Sequence, residues 1–84
     1  KIDKEIQVYP IPANESVNIL FPIDYIDVRI SVIDVTGKQI LEKNIGNIPQ
    51  GEIINLPTSN FPKGTYTVNI ISKYSSQAKL IVIN

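Results

Sequence analysis

The chain has 84 residues, enough for one small hydrophobic core and no second one. Eight basic and eight acidic residues cancel, which leaves no electrostatic hold on a nucleic-acid backbone or an anionic membrane. The absence of Cys and His excludes disulfides, thiol nucleophiles, thiolate metal sites and the usual acid–base group.

Isoleucine, valine and threonine supply a third of the residues, against two Ala and four Leu. Such side chains lose χ1 freedom in helices and pack well on pleated surfaces, so an all-β domain is expected. Missing cysteines do not fix the compartment. No apolar run approaches the roughly 18 residues of a membrane span, and no basic segment followed by an apolar one opens the chain. Starting at Lys1, residues 1–84 read as a single domain cut from a longer protein.

Short β-rich runs separated by Pro, Gly and Asn predict seven strands, near residues 5–9, 16–21, 27–34, 39–44, 51–56, 65–72 and 77–83. After the first, Tyr9-Pro10-Ile11-Pro12-Ala13-Asn14 should form an extended, polyproline-like link, because alternate prolines remove ladder donors. In the second strand Val17, Ile19 and Phe21 share a face. In the third, Val28, Ile30 and Val32 oppose Arg29 and Ser31. In the sixth, Tyr66, Val68 and Ile70 oppose Thr65, Thr67 and Asn69. Period-two alternation of this kind suits two antiparallel sheets packed face to face as an Ig-like sandwich.

Two turns can be read in detail. In Asp34-Val35-Thr36-Gly37-Lys38 the carboxylate can accept backbone N–H bonds, and Gly37 can take the positive φ of a type I turn with a bulge. Phe61-Pro62-Lys63-Gly64 is a second turn, with Pro62 fixing φ. The last strand is apolar on both faces. Ala78, Leu80 and Val82 share one face and Ile81 and Ile83 the other, with Lys79 the one charge among them. The strand is therefore either buried on both sides or an edge that partners cover, with Leu80 and Val82 then taken to point inward and Ile81 outward.

Catalytic chemistry has little to build on, so the domain is not expected to be an enzyme or to need a cofactor. Ser and Thr hydroxyls have no His to activate them, and Ser72 and Lys73, as neighbours on a strand, would face opposite ways. Asp24, Asp27 and Asp34 lack the spacing of a calcium loop. Gly37-Lys38 is no phosphate loop, since Val32 stands where the upstream glycine belongs. Phe21 and Tyr66 fit the core, which leaves Tyr9, Tyr25 and Tyr74 at the rim as a modest platform for stacking on sugars.

The order of these motifs has a parallel. The sequence contains Val8-Tyr9-Pro10-Ile11-Pro12-Ala13, Val17-Asn18-Ile19, Val32-Ile33-Asp34-Val35-Thr36-Gly37-Lys38, Phe61-Pro62-Lys63-Gly64-Thr65-Tyr66 and Lys79-Leu80-Ile81-Val82. In that order and spacing it resembles the type A C-terminal sorting domains of the type IX (Por) secretion system, from about Val8 to Ile83. The resemblance implies an Ig-like β-sandwich at the C-terminus of a larger protein of a Gram-negative bacterium. That protein would be exported to the periplasm and passed through the outer membrane, for attachment to the cell surface or release. The implied partners are the outer-membrane translocon, a shuttle protein and a sortase, with no nucleic acid and no small-molecule substrate.

The family positions carried over are Tyr9, Pro10, Pro12, Ala13, Asp34, Gly37, Lys38, Gly64, Tyr66 and Lys79. The terminal strand Ala78-Lys79-Leu80-Ile81-Val82-Ile83 is the expected receptor-recognition element. As an edge strand it could also join a second copy in a weak homodimer. Ile11 stands where the family has Asn, and the chain ends Val82-Ile83-Asn84 without the terminal Lys or Arg of many members. The competing reading is a passive Ig-like spacer or a carbohydrate-binding appendage of a secreted hydrolase.

Overall fold

A computed structural model describes residues 5–13 and 15–84. The β-branched runs form seven strands: β1 (Gln7–Tyr9), β2 (Ser16–Leu20), β3 (Tyr25–Ile33), β4 (Gln39–Ile48), β5 (Ile53–Pro57), β6 (Gly64–Ile71) and β7 (Ser76–Ile83). Hydrogen bonding sorts them into two antiparallel sheets, of order β1-β2-β5 and β4-β3-β6-β7. The chain changes sheet between β2 and β3, between β4 and β5 and between β5 and β6. The two hairpins, β3–β4 and β6–β7, stay within one sheet.

The inner faces are the ones that alternation predicts. Val17, Ile19 and Phe21 from one sheet meet Val28, Ile30, Val32, Tyr66, Val68 and Ile70 from the other, all buried. Each fully buried aliphatic side chain contributes about 1.5–3 kcal/mol relative to exposure. Phe21 packs edge-on against Tyr25 with ring centroids 5.4 Å apart. Ser31, on the outer face as expected, is nevertheless covered, and its hydroxyl bonds the Gln39 side chain at 2.9 Å.

Four expectations need correction. The link expected over Tyr9 to Asn14, of which Asn14 lies outside the described residues, is not an extended polyproline run. It bends from Pro10 to Pro12, and both the Tyr9–Pro10 and Ile11–Pro12 bonds are cis, an isomer that the tertiary amide of X–Pro admits at small cost. Tyr25 is not a rim residue but part of the core, 9% exposed. Its alternation is reset by an irregularity at the start of β3, where the register shifts and Asp27 takes φ 56°. Counting back from Val28 puts Ile26 inward, yet the bulge turns Ile26 out to 43% exposure and Tyr25 in.

The third correction concerns β7. Ile81 and Ile83 are buried, whereas Leu80 is 67% exposed and Ala78 and Val82 are also on the surface. The expected inner and outer faces are exchanged. Lys79 shares the face of Ile81 and Ile83, so alternation argued against burying that face, yet its two isoleucines are the ones that enter the core. Fourth, Ser72 and Lys73 lie in the β6–β7 turn rather than in a strand, and the Ser72 hydroxyl is 2.8 Å from that of Ser75.

Candidate functional site

The registers bring most of the motif positions to one end of the sandwich. Ile33 pairs with Thr67, Thr67 with Leu80, and Gly64 with Ile83. The Asp34–Lys38 turn therefore projects from the same end as the Phe61–Gly64 turn and the close of β7. In the other sheet Ser16 pairs with Pro57, and the Thr58 N–H bonds the Glu15 carbonyl at 2.8 Å. The link that leaves β1 at Tyr9 belongs to this end too, since Tyr9 pairs with Asn18.

Each turn is held by the chemistry its residues supply. A single oxygen of Asp34, Oδ1, accepts the N–H groups of Thr36 (2.9 Å) and Lys38 (3.1 Å) and the Thr36 hydroxyl (2.6 Å). The Thr36 hydroxyl is the chief cause that holds the Asp34 carboxyl below the usual carboxylate range. Desolvation, second in size, opposes it, and the two backbone donors and the Lys38 charge add to the lowering. Gly37 takes φ 89°, closing the turn through its N–H to the Asp34 carbonyl at 3.0 Å. In the second turn the Tyr66 hydroxyl donates to the Pro62 carbonyl, and Phe61 lies against the Tyr66 ring. Tyr66 thus has a structural task as a buried side chain that ties down the turn before its own strand.

The link between β1 and β2, two neighbours in one sheet, touches the other sheet on its way. Ala13, fully buried, forms a parallel bridge with Ile83. Its N–H bonds the Val82 carbonyl at 2.7 Å, and its carbonyl accepts the Asn84 N–H at 3.1 Å. The first and last motifs of the sequence, Tyr9-to-Ala13 and Lys79-to-Val82, therefore meet in space. Pro10, Ile11 and Pro12 lie exposed beside that junction, and Tyr9 is partly exposed.

Lys79 sits further back along β7. It is on the same side of the strand as Ile81 and Ile83, so it points toward the gap between the sheets, and its ammonium is 3.2 Å from Glu5 Oε2. Sequence reasoning found Lys79 but not Glu5. The two meet only because β1 and β7 lie on the same side of the sandwich, and no local pattern signals that.

β7 is an edge, and an unusual one. Its pairing with β6 runs without a break from Ser76 to Ile83. The bonds to Ala13 show which way its peptides point: Val82 and Asn84 face out of the sheet, and by alternation so do Ala78 and Leu80. Among the described residues, the N–H and C=O groups of Ala78 and Leu80 have no partner.

Every other edge is blunted. β1 is three residues long and runs into Pro10, and β5 ends at Pro57. β4 carries Glu42 and Lys43, a Gly46 at φ 89° and three register shifts against β3. Charges, prolines and bulges are the usual protections of sheet edges. β7 has only Lys79.

The remaining candidates disperse. Asp24 caps the Gln50 N–H at 2.7 Å and Asp27 bonds Asn47 through its own N–H, both at the end opposite Asp34. Among the described residues no three acidic side chains gather as metal ligands. Tyr9 and Tyr74 lie at opposite ends and Tyr25 is buried, so the three tyrosines form no common platform.

No curated protein matches the sequence. The family model described as the secretion system C-terminal sorting domain matches residues 7–84, which is from the first residue of β1 through all seven strands. The chain therefore belongs to the secretion system C-terminal sorting domain family, and it is a sorting signal of type IX secretion, which takes proteins across the outer membrane to the cell surface or the medium.

Proposed function

We propose that the domain acts without catalysis, as the C-terminal label of a larger protein in a Gram-negative bacterium, and that the machinery reads it as a folded surface. The surface consists of the motif end of the sandwich together with β7. Its partners on this reading are the outer-membrane translocon, its shuttle protein and the sortase. A rigid surface can be read without the ordering entropy that a flexible peptide would lose on binding. An open strand adds main-chain hydrogen bonds as a recognition mode. The observation that carries the reading is the convergence of Ala13, the Asp34 turn, Gly64 and the close of β7 at one end, beside an edge whose outward peptides at Ala78 and Leu80 have no partner among the described residues.

The test is a fusion of residues 1–84 to the C-terminus of a fluorescent protein that carries a signal peptide, in a host with a type IX system. The reporter is expected at the surface or in the medium. Leu80→Lys, on the exposed face of β7, should hold it back without unfolding the domain. Retention of the wild-type reporter in the periplasm, while an established sorting domain exports it, would refute the proposal.

A further inference from the structure

The open edge of β7 is self-complementary over part of its length, and Ala13 sets where that part ends. The alternation that turns the peptides of Ala78 and Leu80 outward does the same for Ser76. Each of these three residues presents an N–H and a C=O with no partner among the described residues. From Val82 on the edge is taken, because Ala13 holds the Val82 carbonyl and the Asn84 N–H. A strand added to β7 can therefore run from Ser76 to Leu80 but must stop before Val82.

We propose that a second copy of the chain pairs there, antiparallel, with the two Ala78 residues facing each other across a two-fold axis. Ser76 then faces Leu80 of the second copy, and Leu80 faces Ser76. All three pairs occupy hydrogen-bonded positions, so six main-chain bonds form, two for each pair. Either neighbouring register keeps only four. The register that sets Ala78 against Leu80 also drives Ser76 of the copy against Val82, where Ala13 sits, and places the two Lys79 residues face to face. In the proposed register no such conflict arises. Lys79 has its carboxylate partner in Glu5 at 3.2 Å and faces Gln77 of the copy, an uncharged side chain. The chain carries no net charge, so two copies do not repel at a distance. On the solvent face Ala78 meets Ala78, with the exposed Leu80 of each copy diagonal to it, and pairing covers this apolar patch. Two such short stretches bury far less than the roughly 1,200 Å² of a stable complex, so the dimer is weak, dissociating on the order of 0.1–1 mM. Self-pairing and reception of a strand from the machinery use the same peptides and exclude each other. The dimer follows from the geometry of β7 and does not depend on the sorting role.

A chain without cysteine allows the pairing to be trapped at single positions. Across the axis the two Ala78 Cα atoms lie about 5.5 Å apart, within reach of a disulfide. The two Leu80 residues are offset by four positions along the strand, about 14 Å, and are out of reach. Under mild oxidation near the dissociation constant, Ala78→Cys should form a covalent dimer on the order of tenfold faster than Leu80→Cys. Ala78→Pro removes one outward N–H from each copy and none from the β6–β7 ladder, a substitution that edge strands accept. With its fold verified by circular dichroism, it should sediment as a monomer at concentrations where wild type moves toward the dimer mass. Equal trapping at positions 78 and 80 would overturn the register. A wild type still monomeric at about 1 mM, or Ala78→Pro as dimeric as wild type, would overturn the self-pairing.

Discussion

Asp34 and Thr58 show what single side chains do here. Asp34 holds three donors on one oxygen, and its lowered pKa means that the folded state favours the carboxylate. A depressed folded-state pKa contributes stability that is complete above the unfolded value and is lost as pH falls through the folded one. The contribution should therefore fade only in acid, below about pH 4. Asp34→Asn should lower the melting temperature near neutrality, with the gap to wild type narrowing as the pH is taken down. Parallel melting curves at every pH would show that the carboxylate charge has no part in the turn.

Thr58 presents the opposite case. Its hydroxyl is fully buried without a partner among the described residues, although its N–H bonds Glu15 and its carbonyl bonds Phe61. A buried unsatisfied hydroxyl costs about 1–3 kcal/mol. Thr58→Val keeps the shape and the backbone bonds and should raise stability by about 1 kcal/mol in denaturant titration. A loss of that size would reveal a partner for the hydroxyl.

At the scale of elements, β2, β3 from Val28 onward and β6 were legible because each sets apolar against polar side chains, which leaves alternation one solution. The Asp34 turn was legible because Asp and Gly at that spacing have few other uses. β4 runs on to Ile48, past Gly46 and Asn47, because the glycine makes a bulge instead of ending the strand. Tyr25 was misplaced because a bulge changes the phase of alternation without leaving a residue signature. β7 has large apolar side chains on both faces, and Lys79 on the inner one argues for the wrong phase. Its true orientation reverses the expected effect of substitution. Ile81→Ala removes a fully buried side chain and should cost about 2–5 kcal/mol. Leu80→Lys alters an exposed one and should stay within about 0.5 kcal/mol of wild type. Thermal melts of the two variants decide it; equal losses would mean that both faces of β7 are covered.

The whole molecule adds what no segment contains: the order of strands, the gathering of dispersed motifs at one end, and the bond between Ala13 and β7. That bond ties the start of the domain to its close, so it bears on whether the sandwich is read closed or must open along the β1–β7 side. Ala13 and Ile83 are Cα partners in the bridge and both point inward, a placement compatible with a disulfide. Ala13→Cys combined with Ile83→Cys would close a loop of about 70 residues, worth about 4 kcal/mol against the unfolded chain before the loss of the Ile83 side chain is set against it. The oxidised double variant should melt above its reduced form. If a closed sandwich is the signal, a reporter bearing the oxidised bond should reach the surface as well as reporters bearing either single cysteine. Export confined to the single-cysteine forms would mean that the segment through Ala13 leaves β7 during passage, making the whole outward edge up to Asn84 available to a partner strand.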